Sequence, residues 1–202
     1  IKEGYKKWKE KTSTSPSNRH LGHYKSLLAA DGQSKKDQNN ASSDTIWKII
    51  TTLINASITL STPLKRWLKV ESIMFEKEKG NKKINRLRII DKYEADYNLL
   101  LKIYWPKITN NIAEKNNTLG KNQLGTRKRK SSTDAAMINE FIIDTARIHQ
   151  QTIAIQQNDA SACYDRIIAN HASINSRREG TPKRVCKLRA NTLHSTNFHI
   201  QT

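Results

Sequence analysis

Residues 158–168, NDASACYDRII, are where side chains able to do chemistry are most concentrated. An alternating apolar–polar run at 152–157, TIAIQQ, leads into Asn158 and Asp159, and Asp165 follows directly after Tyr164. A strand that delivers a carboxylate at its end can hold Mg²⁺, a hard cation that takes oxygen ligands. A plainer account is an Asp that ends a strand and an Asp that opens a helix, because Asp-x5-Asp alone is a common spacing. Other constellations carry less. His20 and His23 have His-x2-His spacing, and His194 and His199 lie later, but no Cys pair with finger spacing accompanies them. The glycines form no phosphate-binding or dinucleotide fingerprint, and no Ser or Cys has a recognisable activating partner.

The elements that must position these residues can be read from spacing. Residues 20–30 predict a short helix. Ser43 or Asp44 can cap a longer one whose Ile46, Trp47, Ile50, Leu53, Ile54 and Ile58 recur at helical intervals, with Pro63 closing the region. Residues 11–18 and 31–43 read as loops. Residues 66–77 and 87–90 read as two strands joined through Gly80-Asn81, a hairpin. Helix is expected over 93–114, broken or kinked at Pro106. A basic loop follows at 120–130, and Ser131 with Asp134 three residues on is a helix-capping pattern for a helix to about Gln150. A strand is expected at 152–157, a helix opening at Thr181-Pro182, and the beginning of another strand at 198–202. The fold class is α+β.

Charge narrows the partners. Lys and Arg total 36 against 18 Asp and Glu, a formal net charge of +18. Such a surface repels itself unless a polyanion neutralises it, and nucleic acid is the commonest such partner. The basic residues are spread along the chain rather than gathered on one amphipathic helix, which suits a groove tracking a phosphate backbone better than a membrane surface. Two cysteines make no disulfide framework, and no run of 18 apolar residues occurs. An intracellular location, cytoplasmic or nuclear, is expected, with no membrane partner.

Several segments, in order, resemble reverse transcriptases, the RNA-directed DNA polymerases, of non-LTR-like retroelements. The stretch NDASACYDRII resembles the family's first catalytic motif. The resemblance implies that Asp159 is the catalytic, metal-binding aspartate. It implies that Tyr164 is the aromatic under the incoming sugar that disfavours a 2′-hydroxyl, and that Asp165 is a more structural acid. Residues 74–90, MFEKEKGNKKINRLRII, resemble the fingers hairpin, in which a Lys and an Arg hold the incoming triphosphate; by position these are Lys77 and Arg88. The physical need is for fixed cations that neutralise charge as the bond breaks, and the competing account is a solvated basic hairpin. Residues 88–102, RIIDKYEADYNLLLK, resemble the segment that follows, with Ile89 in place of the usual Pro. Gln123-Leu124-Gly125 resembles the template-gripping Gln-x-Gly, with Thr126 where an aromatic is usual. The basic run Arg127, Lys128, Arg129, Lys130 then resembles the family's template-facing loop, although a localisation signal or a solvated loop would read the same. Gly180-Thr181-Pro182 resembles the palm segment after the first motif.

These matches imply an amino-terminal basic helical leader at 1–62, a fingers-like region at 63–150 and a partial palm at 151–202. They imply a nucleotidyltransferase that binds an RNA or DNA primer-template and adds dNTPs by two-metal phosphoryl transfer with Mg²⁺. The family draws further carboxylates from an aromatic-x-Asp-Asp motif. No Asp-Asp pair occurs in these 202 residues, and no Asp or Glu follows Glu179. The opening Ile1-Lys2-Glu3-Gly4 lacks an initiator Met and a signal-peptide core, which suggests a fragment of a longer frame. This chain alone is therefore expected not to extend a primer, and metal-dependent incorporation above background in a primer-extension assay would contradict that. The alternative is a non-catalytic basic nucleic-acid-binding protein or decayed retroelement remnant.

Overall fold

The computed structural model describes residues 1–9, 16–19, 21–32, 39–105, 108, 110–125, 127–156, 158 and 167–201. The fold is mixed α+β. Helices α1 (Lys2–Lys6), α2 (Leu21–Gly32) and α3 (Asn39–Leu60) precede a 3₁₀ turn at Lys65–Leu68 and the hairpin of β1 (Lys69–Glu76) and β2 (Leu87–Lys92), whose connection carries a second 3₁₀ turn at Ile84–Arg86. Helices α4 (Ala95–Tyr104), α5 (Asn110–Lys115), α6 (Ser132–Ile148), α7 (Ala169–Arg178) and α8 (Lys183–Ser195) follow, and β3 (Asn197–Gln201) comes last.

The sheet runs β2-β1-β3. β1 and β2 are antiparallel, with Ser72 opposite Asp91 and Phe75 opposite Arg88. β1 and β3 are parallel, with Val70 beside Phe198 and Ser72 beside Ile200. Alternation sends Val70, Ser72, Met74, Ile89, Asp91, Phe198 and Ile200 to one face, called here the inner face. Val70 and Ser72 are buried there. The outer face takes Lys69, Glu71, Ile73, Phe75, Arg88, Ile90, Lys92 and His199.

α4 is the beam of the core. Its Ala95 and Leu99 pack with Tyr5, Leu21, Tyr24 and Trp47 of the first three helices. Tyr97 and Leu100 pack instead with Ile54, Trp67 and Leu188. Tyr5 and Tyr24 stack with ring centroids 4.2 Å apart, and Trp67 lies tilted against Tyr97 at 5.2 Å. Two acids are buried in this apolar setting, which costs free energy unless each is bonded. Asp96 accepts from the Trp67 indole N–H at 2.7 Å and pairs with the Arg66 guanidinium. One Glu94 oxygen accepts the backbone N–H of Ser17 at 2.9 Å.

Several expectations hold in detail. The hairpin forms, α6 begins at a reciprocal capping box between Ser131 and Asp134, and helix is present within the stretch expected over 93–114 as α4 and α5, while the break expected at Pro106 lies outside the described residues. Others are corrected. The polar stretch expected as a loop over 31–43 is partly helical, because α2 continues to Gly32 and α3 starts at Asn39. A polar first turn contributes no apolar periodicity, so the pattern signals the helix only from Ile46. The region expected to open α8 lies one residue off, with Pro182 as the N-cap. Gly180, just before it, has φ of 101°, and a Cβ at that position would run into Ile112, so only glycine suits this turn.

The strand expected at 152–157 is not one over its described residues. Residues 151–156 pair with no strand, and Ile153 and Ile155 stand exposed. Alternation describes what a strand would bury, but a strand exists only with a partner, and among the described residues 151–156 have none.

Candidate functional site

The hairpin brings two of the expected site residues together. Beyond the end of β1 the ladder continues for one more bond, the Lys77 N–H donating to the Arg86 carbonyl at 3.0 Å. Counting along this register, Lys77 falls on the outer face with Phe75, whose cross-strand partner is Arg88. Lys77 and Arg88 are therefore diagonal neighbours on one face, a relation that sets Cα atoms about 7–8 Å apart. Both residues are exposed, and neither side chain has an ion pair among the described residues. By contrast Lys92, further along the same face, is neutralised by Glu71 at 2.6 Å, and Arg86 lies 3.8 Å from Glu78. Phe75 and Ile90, half exposed, stand between these cations. The turn is closed by Gly80, whose N–H donates to the Glu76 carboxylate at 2.7 Å and whose φ is 86°.

The inner face borders a cavity of about 580 Å³ whose wall includes Met74, Asp91, Tyr93, Ile167, Arg189 and Phe198. Ser72 donates its hydroxyl to Asp91 at 2.7 Å. The Arg189 guanidinium stacks over Trp105 at 4.5 Å, and its buried Nη1 has no hydrogen-bond partner among the described residues. Burial, with the Asp91 charge adding to it, pushes the Tyr93 hydroxyl up to about 12. Ile167 follows closely on Tyr164 in sequence. The described residues thus join Lys77 to Arg88 but do not bring that pair to the wall formed by Ile167, which belongs to the opposite face.

Asp159, Tyr164 and Asp165 lie outside the described residues, as does Thr126. Among the described residues no three His, Cys, Asp or Glu side chains cluster as a metal site would need. No helix among the described residues is long and apolar enough to cross a membrane.

The basic loop is organised by one residue that spacing did not single out. Arg127 donates to both carboxylate oxygens of Glu114 on α5, from Nε at 2.6 Å and from Nη2 at 2.7 Å. Its Nη1 reaches the carbonyls of Gly120 at 3.1 Å and Gln123 at 3.3 Å. The hydrogen bond from Arg127 holds the Glu114 carboxyl below the usual carboxylate range. Gln123, Gly125, Lys128 and Arg129 are exposed. Thus the expected template-facing residues are exposed except Arg127, whose guanidinium is spent inside the loop. The only sequence signal for Glu114 was an acid standing just before a strongly basic loop.

No protein-family model matches the chain, and no curated protein is similar enough to count as a match.

Proposed function

We propose that this chain is the fingers and the beginning of the palm of a reverse transcriptase of a non-LTR-like retroelement. In this reading its basic surface binds an RNA or DNA primer-template, and Lys77 and Arg88 hold the triphosphate of an incoming dNTP. The observation that carries the reading is the hairpin register, which turns two cations eleven positions apart in sequence into neighbours on one exposed face with no carboxylate partner among the described residues. A polyphosphate needs several such donors at once. The chain order adds support. A cationic hairpin is followed by an apolar helix, a basic loop and a capped helix, and the sequence then runs on to Asn158-Asp159.

In this proposal Asp159 binds Mg²⁺ and Tyr164 selects deoxynucleotides. Asp159→Asn is then expected to weaken dNTP binding about tenfold, roughly 1.4 kcal/mol, in Mg²⁺ and to leave it unchanged in EDTA. Titration of a fluorescent dNTP against both proteins gives the comparison. Equal affinities in Mg²⁺ would sink the catalytic assignment.

A second reading, a non-catalytic nucleic-acid-binding protein, is favoured by the outer face itself. Phe75 there stands half exposed opposite Arg88 and two residues before Lys77, a mixture of an aromatic and cations that accepts single-stranded nucleic acid without any catalytic group.

A further inference from the structure

We infer that Glu114 and Arg127 are positioning residues that shape the basic loop for the nucleic-acid backbone, and that Lys128 and Arg129, not Arg127, meet the phosphates. The inference rests on the proposed nucleic-acid binding and deepens it. The loop after α5 contains two turns. One is closed by the Gln123 N–H on the Gly120 carbonyl at 3.0 Å, the other by the Lys130 N–H on the Arg127 carbonyl at 3.4 Å. Arg127 opens the second turn, and its side chain grips the carbonyls of the first and last residues of the first, Gly120 and Gln123. The same guanidinium is locked to α5 through the two-pronged bond to Glu114. Planar guanidinium against planar carboxylate fixes direction as well as distance, which a lysine ammonium cannot do. One side chain thus ties a helix, one turn and the start of the next.

With its donors committed in this way, Arg127 has little to offer a phosphate. Lys128 and Arg129 sit in the middle of the second turn and are exposed, Arg129 at a positive φ of 61°. That backbone conformation is uncommon for a residue other than glycine, and the anchored turn is what maintains it.

Simple electrostatics and the positioning role predict opposite signs for one substitution. Glu114→Gln removes a negative charge and frees Arg127, so bulk charge alone predicts tighter binding to a polyanion. The positioning role predicts weaker binding, because Lys128 and Arg129 lose their register with the phosphates. The experiment is fluorescence anisotropy of a labelled RNA–DNA primer-template against the full chain and its variants over a range of salt. Glu114→Gln is expected to bind about fivefold more weakly, and the slope of log affinity against log salt is expected to flatten by about one to two, as one or two phosphate contacts are lost. Arg127→Lys, which keeps the charge but cannot form the fork, is expected to lose affinity in the same way. In a Lys128→Ala/Arg129→Ala background, Glu114→Gln is expected to add almost nothing, the non-additivity of groups acting together. The salt slope separates this from a general loss of structure, which thermal melting of each variant reports. Glu114→Gln binding as tightly as the parent or tighter, or Arg127→Lys retaining the parent's affinity and slope, would overturn the positioning role while leaving nucleic-acid binding intact. Failure of the parent chain to bind the primer-template would overturn the function and this inference together.

Discussion

Replacing Asp96 with alanine is expected to destabilise the protein by about 3–5 kcal/mol, the range for removing one partner of a buried ion pair. Asp96 is 1% exposed at the amino-terminal end of α4. One of its oxygens satisfies the indole of Trp67, which is wholly buried, and the other meets the guanidinium of Arg66. Without the carboxylate, the Trp67 N–H becomes an unsatisfied buried donor. Arg66, whose Nε is already buried with no partner among the described residues, loses its counter-charge. Asp96→Asn keeps the shape and the indole bond but loses the charge, so a smaller cost of about 1–3 kcal/mol follows. Asp144→Ala serves as the control. Its pair with Arg147 is exposed on both sides, at 3.2 Å on the surface of α6, and such pairs contribute about 0–1 kcal/mol. Urea unfolding of the three variants at neutral pH gives the ranking directly. A loss below 1 kcal/mol for Asp96→Ala would show that the pair is not what fixes α4 against the 3₁₀ turn.

The second large effect concerns the hairpin. Lys77→Ala and Arg88→Ala are each expected to lower dNTP affinity about tenfold or more, roughly 1.4 kcal/mol, while primer-template affinity falls only a few-fold. The asymmetry comes from the number of charges in play. A triphosphate is held by a few fixed donors, so the loss of one removes a large share of its binding. A primer-template is held by many cations of a chain with a net charge of +18, so the loss of one lowers the salt slope by only about 0.9. The unphosphorylated deoxynucleoside should bind parent and variants alike. Equal proportional losses for dNTP and primer-template would favour the plain basic-surface reading over the polymerase.

Legibility in the sequence followed the range of the interactions involved. The capping box of α6 was readable because Ser131 and Asp134 satisfy each other across a single turn, and the hairpin because its two strands are neighbours in the chain. The pairing of β1 with β3 was not, since a parallel partner arrives after five intervening helices and nothing local specifies its register. The expected strand at 152–157 failed for the same reason, its alternation being only half of a pair. Nothing local in the sequence marks Glu94 and Asp96 as buried; their burial depends on Ser17, Arg66 and Trp67, which are far from them in sequence. At the candidate site, resemblance suggested Lys77 and Arg88, but only the register shows that they share a face. Arg127 read as one more cation in a basic run until Glu114, Gly120 and Gln123 accounted for its donors.

The central position of β1 has a consequence for how the chain acquires its structure. Its pairing with β2 closes a short loop and can form in microseconds once both strands exist. Its pairing with β3 must wait for the helices between them, and contacts so distant in sequence slow folding. During synthesis on a ribosome, β1 therefore passes through a stage with one edge paired and the other open to any extended peptide. The lysines and arginines clustered around this hairpin, Lys65, Arg66, Lys69, Lys77 and Arg88, would then act first as guards against self-association, because like charges on an open edge discourage a second copy from adding to it. The cations proposed to meet nucleic acid on the mature surface would already have protected the nascent chain.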